Sequence, residues 1–130
     1  MPVRSKLPSV LSGLGVIVAA AFGSCGGDPD PPPGPKDIAQ VGSSLGDIVF
    51  QCESVAAGFI AAPERALLTR DVDTLIAVFD RVNPDSGYTA GAEPGPTRRT
   101  SVRDELRLAR RTLTACEPRL AKRLDAAVGR

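Results

Sequence analysis

The chain contains no histidine and no tryptophan, and only 1 tyrosine and 4 phenylalanines in 130 residues. Each shortage excludes something. Without histidine there is no Ser-His-Asp or Cys-His arrangement, no histidine-ligated metal and no histidine-ligated haem. The 3 cysteines, Cys25, Cys52 and Cys116, lie far apart, so the paired spacings of a cysteine metal site are missing. A Walker loop and a dinucleotide-binding glycine fingerprint are missing too. Asp71 with Asp73, and Asp104 with Glu105, are candidate acid–base pairs. Acids one or two apart are, however, the ordinary pattern of a solvated helix face or a helix cap. No enzyme activity, cofactor or metal is expected. Scarce aromatics also count against a β-sandwich and favour an all-α core of Leu, Ile, Val and Ala. The length suits one small domain.

What is present begins with a targeting pattern. Arg4 and Lys6 precede a dense apolar stretch, Val10 to Phe22, of 13 residues. A spanning helix needs about 20 apolar residues, so this length fits the core of an export signal better. The stretch ends in Phe22-Gly23-Ser24-Cys25. That segment resembles the lipobox of bacterial lipoproteins, in which small residues precede a cysteine that is diacylated and becomes the new N-terminus. Gly23 and Ser24 match the small positions and Cys25 the lipidated one, while Phe22 stands where leucine is usual. The resemblance implies a signal peptide over 1–24, a lipid on Cys25 and an extracytoplasmic address at the bacterial envelope membrane. Ordinary signal-peptidase cleavage after Ala19-Ala20-Ala21 is the competing reading and would give a secreted soluble protein.

Cysteine arithmetic bears on this choice. An odd count in an exported chain calls for an explanation. Lipid on Cys25 leaves Cys52 and Cys116, which can pair in an oxidising compartment or remain as buried thiols.

Residues 25–35 form a Pro/Gly-rich linker, disordered or extended at about 3 Å per residue. A helical domain over 36–130 follows. Ile38, Val41, Leu45, Ile48, Cys52, Val55 and Phe59 alternate spacings of 3 and 4, the mark of a helix with one buried stripe. Gly34-Pro35 starts it and Pro63 stops it. Gly42, Gly46 and Gly58 weaken it unless they admit a close neighbour. Leu68, Val72, Leu75, Phe79 and Val82 mark a second helix, ended by the turn cluster Asn83-Pro84-Asp85-Ser86-Gly87. Val102, Leu106, Ala109, Leu113, Cys116, Leu120, Leu124 and Val128 mark a third. Ser101 caps it, and Pro118 kinks or splits it near Glu117.

The expected fold is an all-α, up-down-up three-helix bundle with helices near 35–61, 63–82 and 101–128 and a flexible loop over 83–99. A coiled-coil oligomer is its rival, and self-association stays open. In the bundle Cys52 and Cys116 stand roughly 16 Å and 22 Å above the base, about one turn apart, so an inter-helix disulfide is expected.

Charge is divided along the chain. Residues 25–97 carry 4 basic and 11 acidic side chains, net −7, and residues 98–130 carry 10 basic and 4 acidic, net +6. Arg103, Arg107, Arg110 and Arg111 share one side of the third helix, a candidate face for an anionic envelope polymer, phospholipid headgroups or an acidic protein. The plainer reading is that this helix pairs with the acidic helices one and two. Tyr88, in the long loop, is a candidate partner contact. Nucleic acid is not an expected partner of an exported chain without interleaved aromatics.

Overall fold

A computed structural model describes residues 30–91 and 94–129. The expected signal peptide, Cys25 and the expected linker up to residue 29 therefore lie outside the described residues. From Pro31 onward the described chain forms one compact unit, and it is mostly helical. Its elements are α1 (Pro35–Ala56), α2 (Arg65–Arg81), β1 (Tyr88–Ala90), β2 (Arg98–Thr100), α3 (Val102–Cys116) and α4 (Pro118–Val128). Among the described residues no helix is long and apolar enough to cross a membrane.

Helix α1 begins at Pro35, where a missing N–H costs nothing and the ring presets a helical φ. Asp37 accepts a hydrogen bond from the Gly34 N–H at 3.0 Å, which closes the first turn. The helix ends earlier than the expected residue 61. Gly58 takes a left-handed φ of 79°, and the Phe59 and Gly58 N–H groups bond back to the carbonyls of Ser54 and Val55. That is a Schellman stop, to which glycine suits itself because it lacks a Cβ. The buried stripe therefore finishes at Cys52, with Val55 half-buried. Phe59, counted in the stripe by spacing, is 83% exposed.

Helix α2 runs antiparallel to α1. Arg81 at its end reaches Asp37 at 2.8 Å, and the Glu64 N–H before its start donates to Gln51 Oε1 at 3.1 Å. The third helix of the expected bundle is two helices. Pro118 has no N–H and disfavours helical geometry at the residue before it, and Glu117 sits at φ −149° and ψ 81°. The chain folds back there. Arg103 Nη1 donates to the Val128 carbonyl at 2.7 Å, and Arg110 meets Asp125 at 3.1 Å, so α4 lies antiparallel on α3. Among the described residues the architecture is thus four helices. Leu113 of α3 and Leu120 and Leu124 of α4 are all buried in the one core.

The segment 83–99 is not a flexible loop throughout. β1 and β2 pair antiparallel with Tyr88 opposite Thr100 and Ala90 opposite Arg98. Gly91, at φ 99°, opens the connection, and a Cβ there would collide with the Pro96 carbonyl oxygen. At the same end of the bundle the Asn83 N–H donates to the Pro31 carbonyl at 2.7 Å, fastening the incoming chain to the end of α2.

The core is aliphatic. Val41, Ile48, Leu68, Val72, Leu75, Val78, Val102, Leu106, Ala109, Leu113 and Leu124 are fully buried, and Phe79 and Tyr88 supply its only aromatic rings among the described residues. Cys52 on α1 and Cys116 at the end of α3 meet as a disulfide, with Cα atoms 5.3 Å apart.

Candidate interaction surface

The basic residues of α3 are placed by its amphipathic wind. With Val102, Leu106, Ala109 and Leu113 turned inward, Arg107 and Arg111 point out, while Arg103 and Arg110 lie at the edges of the buried stripe. Arg103 is the most committed. Its guanidinium contacts Asp85 at 2.6 Å, donates to the Val128 carbonyl and lies 5.1 Å from the centroid of the Phe79 ring. Together these close the base of the bundle over α2, the turn that follows it and α4. The Arg103 guanidinium holds the Asp85 carboxyl below the usual carboxylate range. Arg107 pairs with Asp104 one turn earlier at 3.3 Å, and Arg110 with Asp125 of α4. Arg111 is exposed.

The expected pairing of the third helix with helix two is met by Arg123 of α4 and Asp73 of α2. The α3 arginines find acids, but in the turn after α2, in their own helix and in α4, rather than in helices α1 and α2. Arginine-to-acid contacts do link the other helices. Arg81 joins α2 to α1, Arg65 joins α2 to Glu117 at 3.0 Å, and Arg123 of α4 pairs with Asp73 of α2. Between Arg107 and Arg110 of α3 and the end of α4 lies a cavity of about 240 Å³, lined also by Asp125, Val128 and Gly129. With Asp125 at its wall the cavity is mixed in charge, so it is a poor stand-alone anion site.

Tyr88 is not an exposed contact. The hairpin turns its ring into the core, where it is 8% exposed, and burial pushes its hydroxyl up to about 12, with the Glu105 charge adding to the effect. Sequence pattern missed this because a three-residue strand has no periodicity to read.

The carboxylates considered for acid–base work are dispersed. Asp73 is paired with Arg123, and the Asp104 N–H bonds to the Ser101 hydroxyl at 3.2 Å as part of the α3 cap. Glu105, 3% exposed, accepts from Arg98 at 2.8 Å and from the Thr100 hydroxyl at 3.2 Å, which locks β2 onto α3. Asp71 has a different setting. It is 6% exposed on α2, its Oδ2 has no hydrogen-bond partner among the described residues, and its pKa is raised to about 6 by burial first and by Asp47 of α1 second. Among the described residues no group of three or more potential ligands could hold a metal ion.

Spacing also missed the aromatic surface at the upper end of α1. Phe50 is 70% exposed. Together with Phe59, Glu53, Ser54 and Ala57 it borders a groove of about 290 Å³. Position 50 falls outside the buried heptad, and that was the available signal. A smaller apolar hollow of about 190 Å³ lies beside the disulfide, walled by Val55, Ala56, Thr112 and Ala115. Comparison of the chain with protein-family models, with curated proteins and with solved structures finds no match.

Proposed function

We propose that this chain is an exported lipoprotein, held by a lipid on Cys25 at the extracytoplasmic side of a bacterial envelope membrane. There it acts as a non-catalytic binding or structural module. The observation that carries the reading is the meeting of Cys52 and Cys116. A disulfide belongs to an oxidising compartment, and this one uses two of the three cysteines, leaving Cys25 as the odd thiol behind an export-type signal. Acylation would account for it. The Pro/Gly-rich stretch after Cys25 would then stand between lipid and bundle as a spacer of about 30 Å.

The binding role rests on the ordinary work of the charged groups. Most of the candidate acids and arginines cap helices or join one element to the next, and the groove left beside α1 is bordered by Phe50 and Phe59. The test compares the exported chain with Cys25→Ala by intact mass and detergent partitioning. A lipidated protein shows the added acyl mass and enters the detergent phase, and both properties vanish in the variant. Equal solubility, with a mass matching cleavage after Ala21 in both forms, would replace this reading with a secreted soluble protein.

A further inference from the structure

The surface of α1 opposite the core carries Ala39, Gly42, Ser43, Gly46, Phe50 and Glu53, all exposed. At 100° per residue they fall within about 60° of one line along the helix. Two features of this face have no use within a single chain. Glycine in an exposed helix interior costs about 1 kcal/mol relative to alanine, yet nothing lies within 4 Å of where a Cβ would stand at Gly42 or Gly46. A side chain at either place would fit and would strengthen the helix. One turn beyond Gly46, Phe50 holds most of its ring in water.

We propose that this face of α1 is a homodimer interface in which two copies pair antiparallel, with Gly46 opposite Ser43, Phe50 over Ala39 and Lys36 opposite Glu53. One twofold axis, level with the step between Ser44 and Leu45, generates all three pairings at once. The glycines let the two backbones approach, and each bulky ring finds a small residue beneath it. Charge selects the direction. Lys36 and Glu53 are both exposed and neither takes part in a salt bridge among the described residues. Antiparallel pairing sets each against its opposite twice, whereas parallel pairing would set lysine against lysine and glutamate against glutamate. Opposed helix dipoles favour the same direction.

The register also brings the exposed Pro32 of one copy level with Ala57 of the other, beside Phe59 and its groove. Proline-rich segments seat well on aromatic-lined grooves. A membrane is the weaker occupant, because aromatic faces that enter a lipid interface carry a cationic rim, whereas Glu53 and Asp47 stand beside this one. An interface one helix wide is at the small end of specific contacts, so the dimer is concentration-dependent.

Sedimentation equilibrium of the exported full-length chain in density-matched detergent tests the proposal, and its result does not depend on whether Cys25 carries lipid. The wild type should move from monomer to dimer as concentration rises. Gly46→Gln should hold the chain as a monomer while keeping or raising its melting temperature, since the added side chain meets open space. Lys36→Glu and Glu53→Lys should each weaken dimerisation about tenfold, and the two together should restore it. A wild type still monomeric at about 1 mM would overturn the proposal. So would a dimer indifferent to Gly46→Gln, or single charge reversals that the double does not rescue. A monomer in detergent that binds vesicles through Phe50 would assign the face to lipid instead.

Discussion

Asp71 shows how a side chain of unremarkable spacing acquires a particular chemistry. In the sequence it belongs to a pair of nearby acids with Asp73, and nothing distinguishes the two. In the fold Asp73 pairs with Arg123 on the surface, while Asp71 is buried against α1 with Asp47 as a neighbour. A pKa of about 6 lies above that of an unfolded aspartate. Between about pH 4 and pH 6 the native state therefore holds a proton that the unfolded state has released. This group's contribution is most favourable below the unfolded pKa and is lost as pH rises through about 6. Asp71→Asn should accordingly raise stability at pH 7.5, by on the order of 1–2 kcal/mol. The gain should shrink to nothing near pH 4, and thermal melts of both proteins across that range will show it. A gain independent of pH would mean that removal of a charge is not its origin. Phe59 and Tyr88 teach the same lesson in opposite directions. Heptad spacing puts Phe59 in the buried stripe and loop composition puts Tyr88 at the surface, and the fold reverses both.

At the scale of elements, much of the fold was legible. The stripes from Ile38 to Cys52, from Leu68 to Val82 and from Val102 to Leu113 are helices whose apolar sides meet. Boundaries were read well where a chemical signal marked them. Pro35 opens α1, and the Ser101 hydroxyl accepts the Asp104 N–H as a cap. They were read poorly where a conformation, rather than a residue type, decides. By residue type Gly58 is only a weak helix former, whereas its left-handed φ is what ends α1. Pro118 was seen as a break, but the reversal that makes α4 needs the tertiary pull of Leu120, Leu124 and Ala127 toward the core. The hairpin leaves no periodic signal because its strands have three residues each. Ser101→Ala should destabilise the protein by about 1 kcal/mol, measurable by urea denaturation, because it strips the cap from the helix on which β2 and α4 both rest. Ser101→Asp, which restores an acceptor, should recover most of the loss.

For the whole molecule the decisive link is covalent. A core this small, made almost entirely of aliphatic side chains, has limited stability of its own. The disulfide spans 64 residues of sequence, and a closure of that size is worth about 4 kcal/mol in the chain-entropy model. Reduction, or replacement of Cys52 and Cys116 by serine together, should lower the unfolding free energy by about 2–4 kcal/mol in denaturant titrations. Thiol titration of the oxidised, unfolded protein should find neither cysteine free. Helical rise counted along the sequence puts the two cysteines about one turn apart. The structure brings their Cα atoms to 5.3 Å, and the early end of α1 and the folding-back of α4 were not needed to foresee it.

The position of that bond also governs how the domain bears a load. A chain held at its N-terminus takes tension first at the Pro31 carbonyl and Asn83 N–H contact, then along α1. Peeling can proceed only as far as Cys52, because there the pull passes through the sulfur bridge directly into the end of α3. Residues 31–51 could be drawn out, a slack of about 70 Å at full extension. The chain between the two cysteines, which contains α2, the hairpin and most of α3, would be bypassed by the force. The bridge thus works as a mechanical shunt, limiting how far a tethered copy can be stretched before its tension falls on a covalent path.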